Sequence, residues 1–157
     1  MTIIEETTES ESPILAAAIY LLSVIFPFIP SSVLKIKFTP ITEMFENILI
    51  NLSDNAPVVR AVVSCLEYVL FAQDNAVWSS EPLCKNTFQK LLYLCLDQRP
   101  KVRKRASDAV KRILSNPPPP MMNHPVTNLT IEWCVEGLQS YSSMAATKSS
   151  SIEFFNI

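Results

Sequence analysis

Asp97-Gln98-Arg99-Pro100-Lys101-Val102-Arg103-Lys104-Arg105-Ala106 carries the skeleton Asp-x-x-Pro-x-Val-Arg, which stands a second time at Asp54, Pro57, Val59 and Arg60. The two copies lie 43 residues apart. Self-similarity at a period of about 40 to 47 residues is the mark of two-helix HEAT or armadillo repeats. The same shift carries Phe45 onto Phe88, Ile48 onto Leu91 and Leu49 onto Leu92, so the repeat extends upstream into a preceding helix. The expected fold is all-α, a HEAT/armadillo-like α-α superhelix, or solenoid, of about three helical hairpins. In such a repeat one helix ends at the Asp and the next starts at the Pro, whose missing N–H is tolerated in a first turn. Stacking would bring Asp54, Arg60, Asp97 and Arg103 together as a ladder of charge-assisted hydrogen bonds between neighbouring turns.

Working outward, Ile41, Met44, Phe45, Ile48, Leu49 and Leu52 form one stripe of a helix opening at Thr39-Pro40. Val59, Val62, Val63, Leu66, Val69 and Leu70 form the stripe of its partner, at unbroken helical spacing. Residues 74–81 read as the loop between repeats, with Trp78 plugging the joint. Residues 82–96 and 100–115 repeat the two helices. Asn116-Pro117-Pro118-Pro119-Pro120 reads as a rigid connector. A last helix spans about residues 128–144, and Gly137 within it marks a candidate close contact between helices.

Upstream, residues 1–12 are rich in Thr, Ser and Glu and are expected to form a disordered acidic tail. The repeat domain then spans 13–146 and a C-terminal tail 147–157. Ser12 and Pro13 can open a helix that is apolar nearly all round, interrupted only by Tyr20 and Ser23. Residues 14–34 carry no charge, close to the roughly 20 residues of a spanning helix. Pro27 and Pro30 break that run, so an inner solenoid helix is the stronger reading and no membrane partner is expected.

Composition excludes several function classes. One glycine against twelve prolines rules out phosphate loops and dinucleotide fingerprints, which need several glycines near a ligand. The cysteines, Cys65, Cys84, Cys95 and Cys134, include no closely spaced pair, and the one histidine is His124, so neither a zinc site nor a histidine-based nucleophile relay is expected. Reduced thiols on helix faces suit an intracellular protein. Two Asn-x-Ser/Thr triplets, at Asn51 and Asn128, follow an acidic start without a basic leader and read as chance matches. The expectation is a non-enzyme with no cofactor, no metal and no small-molecule substrate.

Net charge is −2, yet seven of thirteen basic residues fall between Arg99 and Arg112 against one acid, Asp108, for a local charge of +6. Where the first repeat has Val62 and Val69, the second has Arg105 and Arg112. Charge avoids an apolar core, so this helix is expected to turn a solvated cationic face to a groove or partner. Arg99, Lys101, Lys104, Arg105, Lys111 and Arg112 are the candidate RNA- or partner-binding residues, suited to neutralising phosphates without reading sequence. A solvated helix face is the plain alternative, and Lys101–Arg105 also fits a basic import cluster. No aromatic residue interleaves the strip, so base stacking finds no support in it.

Arg99-Pro100-Lys101-Val102-Arg103-Lys104-Arg105-Ala106, followed by Asn116-Pro117-Pro118-Pro119-Pro120 and His124-Pro125, resembles the N-terminal HEAT-repeat region of the ribosomal RNA-processing protein 12 family. Phe26-Pro27-Phe28-Ile29-Pro30 through Phe38, Ser64–Glu67 and Ala72–Asp74 with Trp78 agree with it in order and spacing. The resemblance spans about residues 13–140 and implies a nuclear and nucleolar scaffold, shuttling to the cytoplasm, in ribosomal RNA processing and pre-ribosomal subunit assembly and export. Its implied partners are pre-ribosomal RNA, ribosome-assembly proteins and nuclear transport factors. Family members are far longer, so the chain is expected to be an early portion or a truncated member. The alternative is an importin-like nuclear transport receptor or adaptor binding protein cargo.

Overall fold

A computed structural model describes the backbone of residues 3–153 and the side chains of residues 13–143. Among these residues the chain is all-helical, with no strand. It divides into two compact units, Met1–Pro125 and Val126–Ile157.

The first unit holds α1 (Ile3–Ile25), a short 3-10 turn at Phe26–Phe28, α2 (Ser31–Ile36), α3 (Phe38–Asn51), α4 (Ala56–Phe71), α5 (Asn75–Ser80), α6 (Pro82–Leu94) and α7 (Pro100–Leu114). The 43-residue period is visible in the boundaries: shifting α3 and α4 by 43 brings both ends of each within one residue of α6 and α7. Each pair packs as a hairpin, and α4 lies between α1 on one side and α7 on the other. The register continues backward. Ile19, Val62 and Arg105 share one repeat position, and Phe26, Val69 and Arg112 share another.

Sequence chemistry sets the helix ends. Asn55 caps α4, its side-chain oxygen accepting the Val58 N–H at 3.2 Å, with Pro57 inside the first turn. Asp97 does the comparable work before α7 by accepting the Arg99 N–H at 2.8 Å, and Pro100 follows as the first helical residue. Pro27 stops α1. Phe45 and Phe88, equivalent across the repeat, are both fully buried. Phe26 meets Phe45 edge-on at 5.6 Å. Val62, Val63, Leu66, Val69 and Leu70 of α4 and Val102, Ala106, Ala109 and Ile113 of α7 complete the apolar layer.

Two local expectations change and one holds. Residues 74–81 are not a plain loop: Asp74 accepts the Val77 N–H at 3.1 Å and opens α5, an N-cap signal the polar composition concealed. Trp78 of α5 does plug the joint, buried against Phe88 and His124. The backbone of the expected N-terminal tail is helical from Ile3, so Pro13 sits inside α1 rather than in its first turn. The side chains before Pro13 lie outside the described residues.

The second unit is built on α8 (Thr127–Glu153), which continues beyond the expected end at residue 144 into the segment read as a tail. Residues 154–157 lie outside the described residues. A Cβ added at Gly137 would meet nothing within 4 Å, so this glycine does not mark a close helix contact among the described residues. Among those residues no helix is long and apolar enough to cross a membrane.

Candidate functional site

The basic helix α7 has two faces with different chemistry. Lys101, Lys104, Asp108, Lys111 and Ser115 recur at helical spacing and are all exposed. The side facing α4 holds Arg105, whose Nε donates to Ser64 Oγ at 2.9 Å and whose Nη2 donates to Glu67 Oε2. Glu67 is fully buried. Arg112 Nη1 lies 3.0 Å from the other oxygen of Glu67, near enough for charge attraction though off the line of a hydrogen bond, and its guanidinium stands 5.9 Å from the centre of the Tyr68 ring. Arg105 is therefore not the solvated cation expected of it, and Arg112, though exposed, has its charge answered from within. They answer an internal carboxylate, because a fully buried Glu needs compensating charge.

Arg99 is engaged as well. It pairs with Asp97 through two side-chain hydrogen bonds of 2.8 Å, and its Nη1 donates to the Ser53 carbonyl at 2.7 Å, tying the second inter-helix turn to the first. The Arg99 side-chain hydrogen bonds to Asp97 hold its carboxyl below its ordinary range. The tie between turns thus exists, but not as the expected ladder of Asp54, Arg60, Asp97 and Arg103. Arg103 donates to the Asp97 backbone carbonyl at 2.9 Å, because Arg99 already occupies the carboxylate. Among the described residues neither Asp54 nor Arg60 makes a salt bridge, and Arg60 Nε is closed off from solvent without an acceptor. Lys104 pairs with Asp108 at 2.9 Å on the exposed face and holds that carboxyl low. Lys101 and Lys111 make no salt bridge among the described residues.

A groove of about 450 Å³ runs between α1, α4 and α7, lined by Tyr20, Ser23, Arg60, Lys101, Lys104 and Arg105 among others. A second groove of about 590 Å³ shares Arg105 and Asp108 with it and continues past Lys111 and Arg112. Together they follow the length of α7, about 22 Å at 1.5 Å per residue. The charged side chains that line them are mostly cations: Arg60, Lys101, Lys104, Arg105, Lys111 and Arg112 against Asp108. His124 is buried edge-on to Trp78 at 4.6 Å, and burial pushes its pKa down to about 4. Burial raises the Cys65 thiol to about 12, removing it as a nucleophile at neutral pH. Among the described residues no cluster of His, Cys, Asp or Glu could hold a metal ion.

Two contributors escape a linear reading. Glu67 is the only acid on α4, and the replacement of two core valines by arginines in the next repeat was the signal that such a partner should exist. Tyr20 lines the same groove as Lys101, 81 residues away along the chain, and only the packing of α1 on α4 could reveal it.

The family described as RRP12-like, N-terminal HEAT repeats, matches residues 1–153, nearly all of the chain. The chain belongs to this RRP12-like HEAT-repeat family. It is similar to ribosomal RNA-processing protein 12 of Saccharomyces cerevisiae, with 38% identity over 124 residues, covering 76% of this chain and 10% of that protein. RRP12-like proteins of Gallus gallus and Homo sapiens are 32% and 30% identical over 146 and 145 residues, each match covering 88% of this chain and 11% of the relative. The chain spans about a tenth of the length of these RRP12-like relatives. The repeat boundaries seen in α3–α4 and α6–α7 are the structural counterpart of that membership.

Proposed function

We propose that this chain is a non-catalytic scaffold segment in ribosome biogenesis, acting in the nucleus and nucleolus, and that α7 contacts the phosphates of pre-ribosomal RNA. The relatives' names supply the process. The observation that carries the contact is the exposed row Lys101, Lys104 and Lys111, distinct from Arg105 and Arg112, whose charge is answered by the buried Glu67. Three ammonium groups on one helix face can displace counterions from a phosphate backbone without reading bases. The phosphate contact thus moves from the arginines to the lysines. An importin-like cargo receptor would expose acidic residues or tryptophan along its inner helices, whereas Trp78 is buried and the groove beside α7 is basic.

The test is binding of a structured ribosomal RNA fragment across a salt series, comparing the chain with a Lys101→Ala, Lys104→Ala, Lys111→Ala variant. Each lysine that meets a phosphate flattens the slope of log K against log salt by about 0.9. Identical slopes and affinities for the two proteins would refute the contact.

A further inference from the structure

Tyr20 and Ser23 are the two polar interruptions of an otherwise apolar stretch of α1, and both line the groove whose far wall is the basic helix. A helix that needed only to pack on α4 would have no use for them there. Tyr20 is 67% exposed, and its ring stacks on no other aromatic or cation among the described residues. Tyrosine rings usually bury their apolar body and keep only the hydroxyl wet, so this one offers an unused flat face at the edge of a cleft that also carries cations.

The opposite wall supplies charge. Arg60 lies on the groove lining with no salt bridge among the described residues, and its Nε is closed off from water without an acceptor. Its neighbours contrast with it, since Arg105 is matched to Glu67 and Lys104 to Asp108. Lys101 joins Arg60 as a second groove cation without a salt bridge among the described residues. A partly buried guanidinium without a counter-charge is an unfavourable arrangement for a resting protein. An anion in the groove would resolve it.

One ligand chemistry uses both walls: a flat aromatic group joined to a phosphate. The groove volume of about 450 Å³ falls within the range of sites that enclose a small ligand, about 300 to 1,000 Å³. We infer that the groove between α1, α4 and α7 receives one unpaired nucleotide of an RNA strand, its base stacked on Tyr20 and its phosphate held by Arg60 and Lys101. This rests on the RNA reading above and makes it more specific: α7 alone would hold any phosphate backbone, while the Tyr20 side selects single-stranded RNA over duplex. A phosphorylated peptide would use the cations and leave the ring idle.

The experiment measures affinity of the 157-residue chain for a short single-stranded RNA, for the same length carrying abasic sites, and for a duplex of equal phosphate count. It is repeated with Tyr20→Ala and Tyr20→Phe after each is shown to keep its helical content. Base stacking on an aromatic side chain corresponds to a loss of between about 5-fold and 150-fold when the ring is removed. The expected result is that loss for Tyr20→Ala on single-stranded RNA, with the salt slope unchanged. Tyr20→Phe should bind as the parent does, the abasic strand should bind the parent as weakly as ordinary RNA binds Tyr20→Ala, and duplex binding should not depend on residue 20. If Tyr20→Ala binds single strands like the parent, or the abasic strand binds equally well, the stacking inference is overturned while salt-dependent binding through the lysines stands. If no RNA binds in a salt-dependent way, the RNA reading itself fails, and this inference with it.

Discussion

Glu67 on α4 holds the guanidinium of Arg105 on α7, and Arg105 occupies the repeat position at which α4 itself has Val62. An apolar contact in one repeat has become an ion pair at the seam between two repeats. With Arg112 on its other oxygen, Glu67 is the centre of a three-charge cluster whose acid is wholly buried and whose bases are partly exposed.

Removing the buried charge should be costly, and removing the outer base should not. Glu67→Gln keeps the shape but leaves Arg105 without its counter-charge, and a loss of about 3 to 5 kcal/mol is expected in urea unfolding. Arg112→Ala should lose no more than about 1 kcal/mol, since that side chain is 53% exposed and its pairing is screened by solvent. Replacing Glu67, Arg105 and Arg112 together by apolar residues should recover most of the loss, as apolar substitutes for buried ion clusters often do. A Glu67→Gln protein as stable as the parent would show that the cluster contributes nothing to the seam.

His124 predicts a pH dependence with a definite sign. Its folded pKa of about 4 lies below its ordinary value of 6.5 because burial disfavours the imidazolium. As pH falls through that interval, the unfolded chain takes up the proton first, so stability is full above about 6.5 and declines toward 4, by up to about 3 kcal/mol. The depressed carboxylates Asp97 and Asp108 lose their contribution only below their ordinary value of 3.8, so the two windows separate. Unfolding free energies at pH 7.5 and pH 4.5 should differ in the parent and converge in His124→Phe. Equal pH dependence in both would assign the effect elsewhere.

Trp78 joins α5 to the core by meeting the rings of Phe88, at 6.2 Å, and His124, at 4.6 Å. Trp78→Ala should destabilise by about 3 to 5 kcal/mol through lost burial and the cavity left behind. Trp78→Phe, which still fills part of the joint, should cost distinctly less. The check is a denaturation midpoint for each; a mild effect of the alanine would mean that α5 is an ornament on the repeats rather than part of their core.

The pattern of repeats was legible because it is periodic and local. Phe45 and Phe88 announce their equivalence by spacing alone, and Pro57 and Pro100 announce where the second helix of each pair begins. The short helix α5 was not legible, since its signal is a single capping aspartate within a polar stretch. The site was half legible. Basic residues crowd α7 visibly, but which of them face water depends on the neighbour across the seam, and charge counting carries no direction.

The sequence by itself determined the all-helical repeat architecture, the basic character of α7 and the family resemblance, because helical period and repeat offset are properties of one dimension. Tertiary structure alone decided that Arg105 and Arg112 pair with the buried Glu67, that Lys101, Lys104 and Lys111 stay clear of it on the exposed face, and that Tyr20 lines one groove with Lys101 and Lys104. The physical reason is that a buried charge is satisfied by whatever lies opposite it in space, and here that partner is 38 residues away along the chain.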